Sequence, residues 1–375
     1  MQSKESIRRL VDDLAAAHPA EVPAAVRQAL AADGVVDATI WISEIGGTRL
    51  TDLAGTHPPQ DVEGTLAGRS YQNLESIASP DRLLTPLESL GRLIGVLELA
   101  GSGLVDRADE MRTAAKVISD RLIGSKGHSD VVERARGASR LGLAATIQHD
   151  LMPIPSYMSG DVEIGGWIEP AYDIAGDAWD YAVNEDEVML GIFDSVGHGL
   201  RSCQLSTIAL GSFRLARRRG LPLTEIAAEI EEGLGAITEY GEFITATMGR
   251  ATPSQRTLEL ANSGHLAPIR IRDGKATRLE WQPALPLGLN GKEPAIHSFD
   301  IHPGDSFYLF SDGAIEALDD ERSPFGADTL SDLLEQSNAE ERTVFATCHD
   351  VLDAVSAHVG GPLRDDATVL GVKFN

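Results

Sequence analysis

Five short motifs, four of them carrying Asp, mark the C-terminal two-thirds of this 375-residue chain. They are Gly176-Asp177-Ala178-Trp179-Asp180, Phe193-Asp194-Ser195-Val196-Gly197-His198-Gly199, Asn262-Ser263-Gly264-His265, Phe310-Ser311-Asp312-Gly313 and Arg364-Asp365-Asp366-Ala367-Thr368. A single Asp-Gly is a turn and implies no chemistry. Taken alone, Asp194, Asp312 or Asp365 more often starts a turn or caps a helix than binds anything. Several carboxylates, each beside an apolar run and a small residue, form a different pattern. Unpaired carboxylates are costly there, and hard divalent cations take carboxylate oxygens as ligands.

The elements that must hold these residues alternate between strands and helices. Residues 188–193 form an apolar strand feeding into Asp194, and 306–310 and 367–372 are strands beside Asp312 and Asp366. Further strands are expected at 243–249 and 258–260, and 269–271 returns through the hairpin signal Asp273-Gly274. Leu205, Ile208, Ser212 and Ala216 define a helix closed by Arg217-Arg218-Arg219-Gly220, cations followed by a Gly cap. Ile226, Ile230, Leu234 and Ile237 define a second, with Thr224 as its N-cap. Two helices between blocks of strands predict stacked antiparallel sheets flanked by helices, an α+β fold. Gly197 and Gly199 are expected to let the backbone pass close to the acidic residues.

The first 125 or so residues read as a separate α+β unit. Ile7, Leu10, Val11 and Leu14 mark one helix, and Val22, Val26 and Leu30 a second. Strands follow at 38–43, around Leu50 and Leu53, at 83–87 and at 93–99, with turns at Gly46-Gly47 and Ser89-Leu90-Gly91. A closing helix covers 106–122. One junction helix is expected after Asp130, carrying Val131, Ala135, Ala138, Leu141 and Ala145. Gly137 and Gly142 inside it each cost about 1 kcal/mol against Ala, and Pro153 and Pro155 end it. It is either a passive linker or a transmission helix.

Composition excludes several classes. With 42% hydrophobic and 24% charged residues the chain is globular. A net charge of −25 opposes nucleic-acid binding, which depends on neutralising phosphates. Two distant cysteines, Cys203 and Cys348, make neither a disulfide framework nor a zinc ribbon and suit a reducing compartment. The N-terminus is amphipathic rather than a signal peptide, and no apolar stretch reaches the ~18–20 residues of a membrane span. The expectation is a cytoplasmic protein with neither nucleic-acid nor membrane partner.

The series Leu151-Met152-Pro153, Pro170-Ala171, Ile174-Ala175-Gly176-Asp177, Asp194 to Gly199, Asn262 to His265, Leu285-Pro286-Leu287-Gly288, Ser311-Asp312-Gly313 and Asp365 to Thr368 resembles the SpoIIE/RsbU-type branch of the PPM (PP2C-like) serine/threonine phosphatases. The N-terminal pattern, with its strand Leu93-Ile94-Gly95-Val96-Leu97-Glu98-Leu99, resembles a GAF sensor domain; no Cys in that half could hold a bilin. These resemblances imply a GAF-like sensor over 1–125, a helical linker over 126–152 and a PPM-type α-β-β-α sandwich over 153–375.

By the same resemblance, Asp194 bridges two Mn²⁺ or Mg²⁺ ions. Asp177 and the Ser195 carbonyl bind one ion, Asp312 and Asp365 bind the other, and Asp180 and Asp366 lie one layer further out. His198 is read as structural in preference to a general acid, and His265 more strongly so. The implied activity is hydrolysis of phosphoserine or phosphothreonine by metal-activated water. The implied substrate is a phosphorylated anti-anti-sigma (STAS-type) protein in a bacterial partner-switching pathway. The N-terminal domain, with an unidentified ligand, activator protein or second protomer, would gate the activity. Two departures, Ala178 before Trp179 and Leu200-Arg201-Ser202-Cys203 after Gly199, bear on substrate fit and regulation. No Arg is placed by the motifs to bind phosphate. The alternative is a catalytically silent binding module on the same fold.

Overall fold

The computed structural model describes residues 2–375 except 90–91, 138–139, 170–175, 239–240, 281, 283, 290–292 and 362. The chain forms two compact units, Met1–Arg140 and Leu141–Asn375.

In the first unit, helices α1 (Gln2–Ala16) and α2 (Val22–Leu30) precede strands β1 (Val35–Ser43), β2 (Arg49–Asp52) and β3 (Gln60–Asp61). Helix α3 (Leu66–Asn73), strands β4 (Ile77–Ser79), β5 (Arg82–Ser89) and β6 (Arg92–Gly101), and helices α4 (Ala108–Ser125) and α5 (Val131–Ala135) complete it. The strands make one antiparallel sheet in the order β3-β2-β1-β6-β5-β4. Leu10 and Leu14 of α1, Val22, Val26 and Leu30 of α2, and Met111, Ile118 and Leu122 of α4 bury with Ile40, Leu97 and Leu99 in its core. Val11, placed on the apolar face by its spacing, is instead 43% exposed. The Ser89-Leu90-Gly91 turn lies partly outside the described residues.

The single junction helix does not form. Helix α5 stops at Ala135, and Gly137 takes the left-handed conformation at φ 79°. A separate helix, α6 (Leu143–Leu151), begins after Gly142, whose backbone is extended. Each glycine lowers helix propensity, and together they outweigh the weak apolar stripe that spans them. Ala138, counted on that stripe, lies outside the described residues.

The second unit continues with β7 (Ser156–Met158), β8 (Val162–Glu169), β9 (Asp177–Val183) and β10 (Val188–Ser195), then helices α7 (Leu200–Arg218) and α8 (Leu223–Gly235). Strands β11 (Ile244–Thr252), β12 (Thr257–Ser263), β13 (Ile269–Arg272), β14 (Lys275–Arg278), β15 (Ala295–Asp300) and β16 (Ser306–Phe310) follow. Helices α9 (Gly313–Glu316), α10 (Ala327–Ala339) and α11 (Val344–Val359) and strand β17 (Ala367–Phe374) close the unit. One antiparallel sheet runs β15-β12-β11-β10-β9 and the other β14-β13-β16-β17-β8-β7. Ile164, Trp179, Leu190, Ile192, Phe307, Leu309, Leu370 and Val372 fill the layer between them.

On the outer face of the first sheet, Met189, Phe193, Ala246 and Met248 pack against Leu205 and Phe213 of α7 and Ile226 and Ile230 of α8. On the outer face of the second, the Trp167 and Phe345 rings meet edge-on at 5.7 Å, joining β8 to α11. The result is helix–sheet–sheet–helix layering. Helix α8 starts two residues earlier than a Thr224 cap would place it, with Pro222 in the cap position and Leu223 buried; burying that leucine outweighs the threonine's capping preference.

Candidate active site

Strand side chains alternate between faces, and that parity sorts the acidic residues. On β10, Met189 and Phe193 face the helices, while Leu190 and Ile192 face the opposite sheet; Asp194 continues the second series. Register places Asp177 directly across from Asp194 on one side and Thr245 on the other. In the second sheet Phe307, Leu309, Leu370 and Val372 point inward, and Ser311, Asp366 and Thr368 extend those series. Asp177, Asp194 and Asp366 therefore converge at one end of the sandwich, with Asp312 and Asp365 one residue further out at its rim.

Hydrogen bonds tie the two sheets together there. The backbone N–H groups of Gly176 and Asp177 donate to Oδ2 of Asp366 at 2.6 and 3.0 Å. The Ser311 and Thr368 backbones are joined by Ser311 N–H to Thr368 O at 3.0 Å and Thr368 N–H to Ser311 Oγ at 2.9 Å. A Cβ on Gly313 would lie 2.0 Å from the Asp366 carbonyl oxygen, so only glycine lets the two motif loops close on each other. The Ser195 hydroxyl donates to the carbonyls of Gly176 and Ser202, each at 3.0 Å. The Ser195 carbonyl oxygen lies 3.2 Å from the point a Gly176 Cβ would occupy. Gly197 and Gly199 act differently from expectation. Their φ values of 90° and 75° require glycine, but no group among the described residues comes within 4 Å of where their Cβ atoms would be. The Pro170-Ala171 and Ile174-Ala175 parts of the motif series lie outside the described residues.

Crowding sets the electrostatics. Burial, then the charges of Asp312, Asp365 and Asp366, push the Asp194 carboxyl up to about 7. Burial pushes Asp366 up to about 7 as well, against the two backbone N–H groups it accepts from. Asp177 is raised well above the carboxylate range by burial, Asp194 and Asp366. Asp365 is raised by burial, with the nearby charge of His198 opposing the shift. Buried Asp177 Oδ2 and Asp366 Oδ1 have no hydrogen-bond partner among the described residues.

These donors are all oxygen, and unsatisfied, and that set fits a hard divalent cation. Among the described residues, no group of three or more His, Cys, Asp or Glu side chains stands in ready-made ligating geometry.

The raised carboxyls set the pH dependence of the metal-free protein. Folded Asp194 and Asp366 hold protons that unfolded carboxylates, titrating near about 4, have released. Stability in EDTA is therefore expected to fall as pH rises from about 5 to about 7, and to level off above that. A melting temperature that climbs across this window would contradict the crowding.

Two residues that no motif marks reach into the site. The Thr245 hydroxyl bonds the Asp194 carboxylate and meets Nδ1 of His265 at 2.7 Å. His265 is buried, and burial lowers it to about 4, so its imidazole is neutral at pH 7. Its backbone N–H is held by Asn262 Oδ1 at 3.0 Å, which makes the Asn262-to-His265 motif a brace for Thr245. Replacing Thr245 by Val is expected to weaken Mn²⁺ binding about tenfold, the usual scale for removing a group that orients a metal ligand. Unchanged calorimetric affinity would exclude that role. The second is Gln148 of α6, whose side-chain N–H donates to the Asp177 carbonyl.

Asp180 stands elsewhere. It lies on the helix-facing side of β9 and pairs with Arg214 at 2.8 and 3.0 Å and Arg217 at 2.9 Å. Three residues on from Asp177 reverses the face, so it anchors α7 rather than joining the acidic cluster. His198 is exposed, and no hydrogen bond holds it among the described residues, so the structural role expected of it has no partner. Arg201 clamps Glu242 at 2.7 and 2.6 Å and the Ile237 carbonyl at 2.7 Å, fixing the start of α7.

The family model for stage II sporulation protein E (SpoIIE) matches residues 184–375, from just before β10 to Asn375. The chain belongs to the SpoIIE family. Among curated proteins no sequence matches it. The SiaA-PP2C domain of Pseudomonas aeruginosa superposes with a TM-score of 0.55 at 19% identity, over 66% of this chain and 100% of that one. The PP2C phosphatase domain with a regulatory fragment of SpoIIE from Bacillus subtilis gives 0.50 at 17% identity, over 57% and 64%. The RsbU and RsbW domains of Rv1364c from Mycobacterium tuberculosis give 0.49 at 20%, over 57% and 60%, so this SpoIIE-family chain spans about three-fifths of that structure. At these identities the likeness concerns the fold, which is of the PP2C type. No helix among the described residues is long and apolar enough to cross a membrane.

Proposed function

We propose that this SpoIIE-family chain is a metal-dependent phosphoprotein phosphatase acting on phosphoserine or phosphothreonine. The observation that carries the reading is the convergence of Asp177, Asp194 and Asp366 from two sheets at one end of the sandwich, with orphaned oxygens on Asp177 and Asp366. Natural folds do not collect buried carboxylates without something to neutralise them. Asp194 would hold both of two Mn²⁺ or Mg²⁺ ions, Asp177 and the Ser195 carbonyl one, and Asp312 and Asp365 the other. Ions held there supply Lewis acidity for attack of water on phosphorus and neutralise charge on the phosphoryl oxygens. Asp366 fixes the Gly176–Asp177 backbone, Thr245 orients Asp194, and the chemistry needs no side-chain nucleophile.

Family membership supports a phosphorylated STAS-type protein as substrate. The helix, antiparallel sheet and closing helix of the first unit support a GAF-like sensor. Gating is supported by α6, which links directly to Asp177 through Gln148 and to α7 through Arg214, whose guanidinium bonds the Leu151 carbonyl. The test compares the full chain with one beginning at Leu141, on phosphorylated STAS proteins and p-nitrophenyl phosphate with Mn²⁺. Hydrolysis that EDTA abolishes, at rates differing between the two chains, is the expected result. Activity surviving EDTA would sink the metal mechanism; equal rates would remove the gate. Against the second reading, a silent binding module, a degenerate member would be expected to lose metal carboxylates, and Asp177, Asp194, Asp312 and Asp365 are all present.

A further inference from the structure

Beside the acidic cluster, between α9 and the loop entering β17, lies a cavity of about 180 Å³. Asp312, Glu316 and Asp365 supply its charged side; Leu318 and Val359 supply an apolar one; Arg364 completes the wall. Every other ionisable group lining it is acidic. Several other arginines of this unit are committed: Arg201 to Glu242, Arg214 and Arg217 to Asp180, Arg272 to Asp305 and Arg342 to Asp350. The Arg364 guanidinium is exposed, and among the described residues no carboxylate pairs with it.

We propose that Arg364 is the substrate-phosphate ligand of this site. Its guanidinium takes the non-bridging oxygens of a phosphoserine or phosphothreonine entering through the cavity, while Leu318 and Val359 accept the neighbouring apolar part of the peptide. This assignment rests on the phosphatase reading. A phosphomonoester carries close to two negative charges at pH 7. It must approach a rim of carboxylates on a chain of net charge −25. Ions at the site neutralise the inner carboxylates, but Glu316 on the rim is no part of that set. A cation is needed on the approach side, and a planar guanidinium matches two phosphoryl oxygens at once. Its position next to Asp365 places that fork on the cavity wall, beside the carboxylates that would hold the ions.

The test is calorimetric titration of inorganic phosphate into the Mn²⁺-loaded full chain, in wild type, Arg364→Gln and Arg364→Lys. KM and kcat on a phosphoserine peptide are measured beside it. Arg364→Gln is expected to weaken phosphate binding and raise KM each by about tenfold, the scale of one charge-assisted contact, with Lys recovering part of the loss. Mn²⁺ affinity should not fall in either variant, which separates a lost phosphate contact from a damaged metal site. Phosphate affinity and KM that ignore Arg364, or Mn²⁺ binding that falls with them, would overturn the assignment. Phosphate binding that depends on Arg364 in a chain with no turnover would sink the phosphatase reading and with it the substrate role, leaving Arg364 an anion ligand only. Turnover indifferent to Arg364 would do the reverse.

Discussion

Asp194→Asn is expected to lower Mn²⁺-dependent hydrolysis of a phosphoserine substrate by at least about a thousandfold while leaving the protein folded. The carboxylate sits at the centre of the cluster, across from Asp177 in register and in the field of Asp312, Asp365 and Asp366. If Asp194 serves both proposed ions, losing it would remove about 4 kcal/mol of charge stabilisation, and each 1.36 kcal/mol is a factor of ten in rate. The same change should make the metal-free protein more stable above about pH 7, because it deletes a buried charge that its neighbours repel. Two measurements decide it: turnover with saturating Mn²⁺, and thermal unfolding in EDTA. An active variant would remove Asp194 from the metal site. A variant that melts lower in EDTA would show that the carboxylate is structural.

Asp180→Asn should do the opposite. This side chain is 1% exposed and is the shared partner of Arg214 and Arg217, themselves mostly buried. Neutralising it leaves two guanidinium groups facing an amide on the inner side of α7, and breaking a buried pair from one side costs about 3–5 kcal/mol. For a unit of this size that corresponds to a melting temperature lower by roughly 6–20 °C. Below the new transition, Mn²⁺ affinity and turnover per folded molecule should stay within about threefold of wild type, since the side chain faces away from the cluster. Unaltered stability together with lost metal binding would return Asp180 to the ligand shell. Three positions apart on one strand, Asp177 and Asp180 are thus expected to fail in different ways.

The contrast explains what was legible in advance. Runs such as Val188 to Phe193 announce strands because continuous apolar residues must be buried, and an acidic residue at the end of each is visible in the string. The helical spacing of Leu205 to Ala216 and of Ile226 to Leu234 reappears as α7 and α8. Asp180 misled because it stands in the same short motif as Asp177; counting strand parity from Trp179, which packs between the sheets, would have turned it toward the helices. The junction departs from its pattern for a different reason: its apolar stripe spans Gly137 and Gly142, and the left-handed φ at Gly137 breaks the helix. Thr245 and Gln148 had no local signal at all, since one is an ordinary strand threonine and the other a helix glutamine.

The sequence by itself determined the chemistry on offer: carboxylates beside strands, in the order of one family, on a chain of net charge −25. Those are local properties, carried by residue type and spacing. Only the tertiary structure decided which carboxylates meet. Asp366 accepts from Gly176 across 190 positions, Thr245 reaches Asp194 by cross-strand register, and Arg364 comes to a cavity wall with Asp312 through the closing of α9 on β17. Sheet pairing and the stacking of one sheet on another set those meetings. Their free energy lies in the buried layer between the sheets, and no short window of sequence contains it.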